Sequence, residues 1–221
     1  GTSVIILMER SVELVLSLLA VTKIGAYFVP IDVKSPEKRF KDIQSNLNSK
    51  FLLTNVCSSK LEKLVNFEIE KIFIGNEALD LLLTSVSENY MPVSISANDV
   101  AYMIHTSGTT GAPKGVLSTH GGLLNRVLWM QREYEINSQD IFLQKTPYTF
   151  DVSIWEFFLP LVSGATLVIA EPGIHNNVDE LINCIGSYKI SSIHFIKCFF
   201  IFLSSKKSRA ISNSRVIASK R

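Results

Sequence analysis

The sequence alternates short apolar runs with amphipathic helical patterns, and this alternation constrains the fold more than any other feature. The apolar runs predict β-strands at Val4 to Met8, Tyr27 to Ile31, Phe51 to Thr54, Lys71 to Ile74, Val100 to His105, Ile141 to Gln144, Thr166 to Ala170 and Ser192 to Phe195. Parallel strands need crossover connections, and helices between strands supply them. We therefore expect an α/β fold of parallel β-sheets flanked by helices.

Apolar periodicity and end signals place the helices between these strands. The first predicted helix starts at Ser11 and ends at Gly25, and the second runs from Ser35 and Pro36 to about Leu47. The third spans Gly122 to Tyr134, the fourth opens at Asp151, and the fifth spans Val178 to Tyr188 behind an Asn177 cap. In the second of them, Ser35 is the expected N-cap and Pro36 the first-turn residue. The polar stretch from Thr84 to Asp99 predicts a connecting loop.

Composition excludes several classes of protein. With 221 residues and 47% hydrophobic content, the chain can bury a substantial core. Its net charge is only +2, and its Lys and Arg residues are scattered along the chain, so nucleic acid is not the expected partner. The apolar runs Val12 to Ile31 and Ile193 to Leu203 carry charges or fall short of the roughly 20 residues that span a bilayer, so no membrane helix is expected. The separated cysteines Cys57, Cys184 and Cys198 predict buried free thiols.

The stretch from Thr106 to Gly115, which reads TSGTTGAPKG, follows a predicted strand and has the composition of an anion-binding loop. Its three glycines let backbone N–H groups approach a phosphate, and Lys114 adds a point charge. Further donors are the hydroxyl groups of Thr106, Ser107, Thr109 and Thr110. A Walker A loop is excluded because Lys114 lies between Pro113 and Gly115. A Gly/Thr turn without a ligand is the alternative, which ten consecutive residues of this kind disfavour.

This stretch resembles the phosphate-loop signature TSGTTGxPKG of the adenylate-forming enzymes, which include acyl-CoA synthetases, firefly luciferase and amino-acid adenylation domains. The family usually has an aromatic residue where this chain has His105. The resemblance implies that Lys114 and Thr109 are catalytic. It also implies that the ATP phosphates are bound by Thr106, Ser107, Gly108, Thr109, Thr110, Gly111, Lys114 and Gly115.

Two further segments are similar to the peptide-synthetase branch of that family. Lys23 to Asp32, KIGAYFVPID, resembles an architectural segment with no ligand role, and Phe150 to Glu156, FDVSIWE, resembles the FDxSxWE stretch of amino-acid-activating members. There the aspartate binds the α-amino group of the substrate, a role that falls here to Asp151. A helix N-cap is the alternative role for Asp151, and the two roles are compatible.

The same resemblance implies a substrate pocket lined by Phe150, Asp151, Val152, Trp155 and His194. Asp151, Val152, Trp155 and His194 are similar to the opening of the serine-type specificity pattern. Trp155 would reduce the volume of the pocket, and His194 would hydrogen-bond a side-chain hydroxyl. The alternatives are a core tryptophan and a histidine satisfied within the fold.

The resemblance implies activation of an amino acid by ATP and Mg²⁺ to an aminoacyl-adenylate, with release of pyrophosphate. A phosphopantetheine thiol on a carrier protein then takes the acyl group, so thiolation and condensation domains of the same assembly line are the expected partners. Residues 1–221 are expected to form a partial adenylation domain that starts inside the domain and lacks the later core segments, the lid and the Mg²⁺ ligand. The absence of targeting signals and the need for ATP favour the cytoplasm. An acyl-CoA synthetase-type ligase and a truncated, non-catalytic remnant are the alternative functions.

Overall fold

A computed structural model describes residues 1–56, 61, 69–75, 84, 93–107, 113–196 and 215–219. They belong to two compact units, Gly1–Leu124 and Asn125–Arg221. Both units contain parallel strands connected through helices, which confirms the predicted α/β fold. In the part of the chain that the structure describes, no helix has both the length and the apolar content for crossing a bilayer.

The first unit contains a six-stranded sheet in the order β4-β3-β1-β2-β5-β6. Its strands are β1 (Ser3–Leu7), β2 (Tyr27–Pro30), β3 (Phe51–Thr54), β4 (Glu70–Phe73), β5 (Val100–Ser107) and β6 (Pro113–Thr119). The first five pair in parallel, whereas β6 runs antiparallel to β5. The helices among its described residues are α1 (Val12–Lys23), α2 (Glu37–Ser45) and the start of α3 (His120–Glu133), which continues into the second unit.

The two complete helices that the structure describes in this unit begin differently. α1 begins where predicted, and Ser11 caps it, because the Ser11 hydroxyl accepts a hydrogen bond from the N–H of Leu14 at 3.3 Å. For α2 the predicted Ser35 cap is wrong, since the cap position is Pro36, which has no side-chain cap. The N–H of Ser35 instead donates to the carbonyl of Asp32 at 2.9 Å, so Ser35 belongs to the preceding turn.

The core of the first unit lies where the parallel strands meet α2. Both faces of such strands are covered, which explains why they are nearly continuous apolar runs in the sequence. The buried cluster consists of Ile5, Leu7, Val29, Ile31, Val33, Phe40, Ile43, Leu47, Leu52, Val56, Leu61 and Ile69.

The second unit contains a four-stranded parallel sheet in the order β10-β9-β7-β8. Its strands are β7 (Ile141–Gln144), β8 (Thr166–Ile169), β9 (Ser192–Ile196) and β10 (Arg215–Ser219), and its helices are α4 (Asp151–Val162) and α5 (Val178–Ser187). Asn177 caps α5 as predicted, accepting from the N–H groups of Asp179 and Glu180 at 3.2 and 3.3 Å. Cys184 is a half-buried free thiol, while Cys57 and Cys198 lie outside the described residues.

One buried carboxylate, Asp140, ties the strand ends of this sheet together. It accepts hydrogen bonds from the Ser191 hydroxyl at 2.7 Å, the Asn137 N–H at 3.0 Å and the Arg215 guanidinium at 3.4 Å. Burial alone would raise the pKa of Asp140, but these hydrogen bonds and the Arg215 charge lower it below its ordinary value. The ionised carboxylate therefore fastens the starts of β7, β9 and β10.

Candidate active site

The predicted phosphate-binding residues belong to the hairpin formed by β5 and β6. Thr106 pairs with Lys114, and Ser107 pairs with Pro113, so both ends of the predicted loop are strand residues. This corrects the expectation of a single loop from Thr106 to Gly115, because antiparallel pairing satisfies the backbone groups at both ends. The connection, residues 108–112, lies outside the described residues, and with it the predicted Gly108, Thr109, Thr110 and Gly111.

Thr106 and Lys114 occupy one face at the end of this hairpin. Directly paired residues of antiparallel strands share a face, and both residues are exposed. The Thr106 hydroxyl donates to the Lys114 carbonyl at 3.4 Å, which joins the two strands beside the connection. This end of the hairpin therefore presents the Lys114 ammonium to solvent, a donor that suits phosphoryl oxygens, while the Thr106 hydroxyl bonds across the two strands.

The opposite face of the hairpin gives Gly115 a packing role. A Cβ added to Gly115 would lie 2.6 Å from the Sδ of Met103 and 3.2 Å from the Nε2 of His105. Met103 therefore occupies the space above the glycine. Burial and the charge of Arg39 lower the pKa of His105, and its buried Nδ1 has no hydrogen-bond partner among the described residues. Its surroundings in the hairpin thus favour the neutral form of the imidazole.

The predicted substrate-binding aspartate begins α4 in the second unit. Asp151 is the first helical residue, and the cap position is Phe150, which makes no side-chain cap. The N-cap alternative for Asp151 is therefore wrong. The carboxylate is exposed and accepts from the N–H of Val152 at 2.9 Å. Its charge in the first turn is favoured by the helix dipole and remains accessible to a cation.

Trp155 and His194 are brought together by α4 and β9. Both side chains are 5% exposed, and their rings make an edge-to-face contact with centroids 5.4 Å apart. Burial, followed by the positive charges of Lys145 and Arg126, lowers the pKa of His194 to about 4, although Asp151 opposes the shift. The imidazole is neutral near pH 7, with one nitrogen that donates and one that accepts.

The remaining predicted pocket residues differ in burial. Val152 is half-buried beside Asp151, whereas the side chain of Phe150 is exposed at the end of the connection that leads into α4. The structure thus groups Trp155 with His194, and these two residues, together with Asp151 at the start of the helix, are called the cluster around α4 below. The side chain of Phe150 lies outside this cluster.

Sequence reasoning missed two charged residues that support this part of the site. Lys145 follows β7 with only 8% of its surface exposed, and its ammonium lies 4.8 Å from the centre of the Phe195 ring. Glu156 is 1% exposed on α4. The available signal was a charged residue between Trp155 and Phe157, because a carboxylate flanked by large apolar side chains needs buried hydrogen-bond partners.

No residue of this chain is assigned to magnesium. Among the described residues there is no group of three or more His, Cys, Asp or Glu side chains that could hold a metal ion. The expectation that the Mg²⁺ ligand lies elsewhere stays a prediction.

A family model matches almost the whole chain. The model, described as AMP-binding enzyme, covers residues 1–218. The matched range contains every residue described above in the hairpin and in the cluster around α4. The resemblance seen in the ten residues from Thr106 to Gly115 therefore extends over both compact units.

Curated relatives match a similar share of the chain. Vanchrobactin synthetase VabF of Vibrio anguillarum is 35% identical over 196 residues, which cover 89% of this chain and 7% of that protein. Tyrocidine synthase 3 of Brevibacillus parabrevis is 36% identical over 191 residues, which cover 86% of this chain and 3% of that protein. Enterobactin synthase component F of Escherichia coli K12 is 34% identical over 197 residues, which cover 89% of this chain and 15% of that protein. The chain spans a small part of each of these relatives.

Solved structures match all of the chain. The N-terminal subdomain of Klebsiella oxytoca NpsA, in complex with 3-hydroxyanthranilyl-AMSN, has 26% identity and a TM-score of 0.81 over 100% of this chain and 54% of that chain. The nonribosomal peptide synthetase FmoA3 (S1046A) has 23% identity and a TM-score of 0.86 over 100% of this chain and 23% of that chain, a likeness that shows the fold.

Proposed function

The chain belongs to the AMP-binding enzyme family, and on that premise we propose that it activates an amino acid with ATP for nonribosomal peptide synthesis. The family assignment and the likeness to nonribosomal peptide synthetases confirm the resemblance found in the sequence. The observation that carries the amino-acid substrate is Asp151, whose exposed carboxylate begins α4 without capping it. A carboxylate in that position suits the ammonium group of an amino acid.

In the proposed reaction, a carboxylate oxygen of the amino acid forms a bond to the α-phosphorus of ATP. The bond from that phosphorus to the bridging oxygen breaks, and the electron pair leaves with pyrophosphate. Lys114 neutralises charge that builds on the phosphates, with Thr106 and Ser107 beside it at the end of the hairpin. Thr109 and the N–H groups of Gly108 and Gly111, in the connection between β5 and β6, are proposed to bind the phosphates as well.

The buried end of the proposed pocket favours a small hydroxylated side chain. Trp155 and His194 are in contact, and a neutral imidazole offers both a donor and an acceptor to a hydroxyl group. A site built to hydrogen-bond a hydroxyl rejects analogues that lack it more strongly than an apolar pocket rejects an added methylene. Serine is the substrate that we propose.

The later steps belong to the whole protein and are proposed on the same basis. The aminoacyl group would pass to a phosphopantetheine thiol on a carrier domain, next to condensation domains, with Mg²⁺ accompanying ATP. NpsA-ThdA, a structural match with 26% identity, is described as an artificially fused adenylation–PCP di-domain. That description supports a carrier partner for this chain. A cytoplasmic location stays a prediction from the sequence.

Substrate-dependent ATP–pyrophosphate exchange by the full-length protein tests the proposal. The panel contains serine, alanine, threonine, valine and phenylalanine, together with fatty and aryl acids. We expect serine to give the fastest exchange and acids without an α-amino group to give none, because they leave Asp151 unpaired. Faster exchange with fatty or aryl acids would support the acyl-CoA synthetase alternative, and no exchange with any acid would support the non-catalytic remnant.

Asp151→Ala tests whether Asp151 binds the substrate or only stabilises the first turn of α4. Since a hydrogen bond to a charged group contributes about 1.5–3 kcal/mol, we expect the KM for the amino acid to rise about 10- to 100-fold while the KM for ATP is unchanged. Glu180→Ala is the matched control, because Glu180 is also an exposed carboxylate in the first turn of a helix. Equal losses of thermal stability in both variants, with unchanged KM values, would remove Asp151 from the substrate site.

A further inference from the structure

We infer that Glu156 is a positioning residue for the amino-acid site, which it serves by fastening the start of α4 to the end of β7. This inference rests on the proposed function, because it concerns where Asp151 is held. Glu156 lies on the same helix as Asp151, five residues further along. It acts through the backbone of the β7–α4 connection, residues 145–150.

Four donors converge on the Glu156 carboxylate. Its Oε2 accepts from the Gln144 amide at 3.1 Å, the Lys145 N–H at 3.3 Å and the Thr146 N–H at 3.1 Å. Its Oε1 accepts from the Thr146 hydroxyl at 2.6 Å. The side chain thus satisfies two consecutive backbone N–H groups that strand β7 leaves at its end, and it does so in the interior.

The orientation of Gln144 shows that Oε2 acts as an acceptor only. The Gln144 Nε2 also donates to the carbonyl of Thr146 at 2.6 Å, and a carbonyl accepts but cannot donate. The amide nitrogen therefore faces Glu156, so three donors meet at Oε2. Burial raises the pKa of Glu156, while Lys145 and these hydrogen bonds oppose the rise. A proton would reside on Oε1, where the Thr146 hydroxyl can turn and accept.

The other end of the connection is held by α4 itself. The Phe150 N–H donates to the Pro147 carbonyl at 3.0 Å, and the Phe150 carbonyl accepts from the Ser153 hydroxyl at 2.6 Å and its N–H at 3.1 Å. Both ends of residues 145–150 are thus bonded to one helix. Because a helix moves as a rigid unit over five residues, a shift of Glu156 from residues 145 and 146 also shifts Asp151.

The test compares two substitutions of Glu156 in the full-length protein. Glu156→Gln keeps an oxygen that accepts from the three donors at Oε2, and it places an amide NH₂ against the Thr146 hydroxyl oxygen. The KM for the amino acid should therefore stay within about threefold of the wild-type value. Glu156→Leu leaves two buried N–H groups without partners, each costing about 1–3 kcal/mol, so amino-acid KM should rise at least about tenfold. The KM for ATP should change by less than about twofold, since the four donors that meet Glu156 come from residues 144–146 and not from Lys114 or Thr106.

Hydrogen exchange gives a second readout that needs no substrate, so it holds even if the proposed function fails. Amides of residues 145–152 should exchange faster in Glu156→Leu than in wild type, and at the wild-type rate in Glu156→Gln. Glu133→Leu is the control, because Glu133 is an exposed carboxylate on α3. If Glu156→Leu does not fold, Thr146→Val, which removes only the bond to Oε1, should still accelerate exchange there. Unchanged exchange in residues 145–152, or equal rises in both KM values, would overturn the inference.

Discussion

The β5–β6 hairpin and the cluster around α4 bear the two halves of the proposed chemistry in different ways. The described hairpin residues that are proposed to bind the phosphates, Thr106 and Lys114, are exposed and close together in sequence. The cluster brings together Asp151, Trp155 and His194 from separate segments and depends on buried charges. The residues proposed for the phosphate chemistry are thus neighbours in the sequence, whereas those proposed for the amino-acid chemistry meet only when the second unit is folded.

This difference has an energetic consequence. Removing an exposed side chain from the hairpin would delete a proposed interaction with ATP but would cost the folded protein little, since surface substitutions usually change stability by no more than about 0.5 kcal/mol. Removing a buried polar side chain from the cluster leaves its partners unsatisfied. Substitutions in the hairpin should therefore lower activity without lowering stability, whereas substitutions in the cluster should lower both.

Lys114→Ala should have the largest effect and tests the hairpin side of this comparison. Loss of one positioned donor to a transition-state charge costs about 10²–10³-fold in rate, so pyrophosphate exchange should fall by that factor. Because Lys114 is exposed, the midpoint of thermal unfolding should not change. Exchange assays and calorimetry on the full-length protein give the two measurements.

The control for Lys114 is Lys34→Ala, which removes another exposed lysine of the first unit. It should keep the exchange rate of the wild type. Lys114→Arg should recover part of the rate, since the charge is retained. A normal exchange rate in Lys114→Ala would break the comparison and leave the hairpin without its main electrostatic role.

His194 gives the next largest effect and tests the cluster side. Its pKa in the folded protein is lowered to about 4 from an ordinary value of 6.5, so between these values the unfolded chain binds more protons. The contribution of His194 to stability is therefore full above pH 6.5 and is lost as the pH falls towards 4. The loss is on the order of 3 kcal/mol, because each pH unit between the two pKa values corresponds to ~1.4 kcal/mol.

Urea unfolding of wild type and His194→Gln at pH 7, 5 and 4 measures this effect. The difference in unfolding free energy between the two proteins isolates His194 from the other groups that titrate, including Glu156 and Asp140. It should shrink or reverse as the pH falls. A difference that is constant from pH 7 to pH 4 would show that His194 titrates normally and that the cluster does not hold it neutral.

The sequence predicted most of the strands but missed β6. The apolar runs identified strands because their burial on both faces leaves a signal within four or five residues. Strand β6, PKGVLST, begins with Pro113 and contains Gly115, residues that usually argue against a strand, and it has exposed Val116 and Leu117. Only its pairing with β5 makes it a strand, and pairing partners are not visible in local composition.

The candidate site shows the same division. The linear motif located Lys114, and the resemblance located Asp151, Trp155 and His194. The hydrogen bonds from residues 144–146 to Glu156 join residues that are 10 to 12 positions apart, and neither helix period nor strand period connects such positions. The start of α4 at Asp151 was predicted, whereas the start of α2 differed, because Pro36 holds its cap position without a side-chain bond. Side-chain capping rules cannot find such starts.

Gly115→Ala should have the smallest effect and sharpens the comparison within the hairpin itself. The added Cβ would come within 2.6 Å of the Met103 Sδ, the flexible end of a side chain that can move aside, so we expect a destabilisation of about 1 kcal/mol, the low end of the cost of overpacking. Met103→Ala in the same chain should remove the closest contact and leave only the one with the His105 Nε2 at 3.2 Å, so most of the cost of Gly115→Ala should disappear in that background when unfolding is measured in urea. Gly115 would then act through packing, as the residues of the cluster do, although it belongs to the phosphate motif. If Gly115→Ala instead slows pyrophosphate exchange more than tenfold at unchanged stability, the backbone at residue 115 touches the nucleotide, and the packing explanation fails.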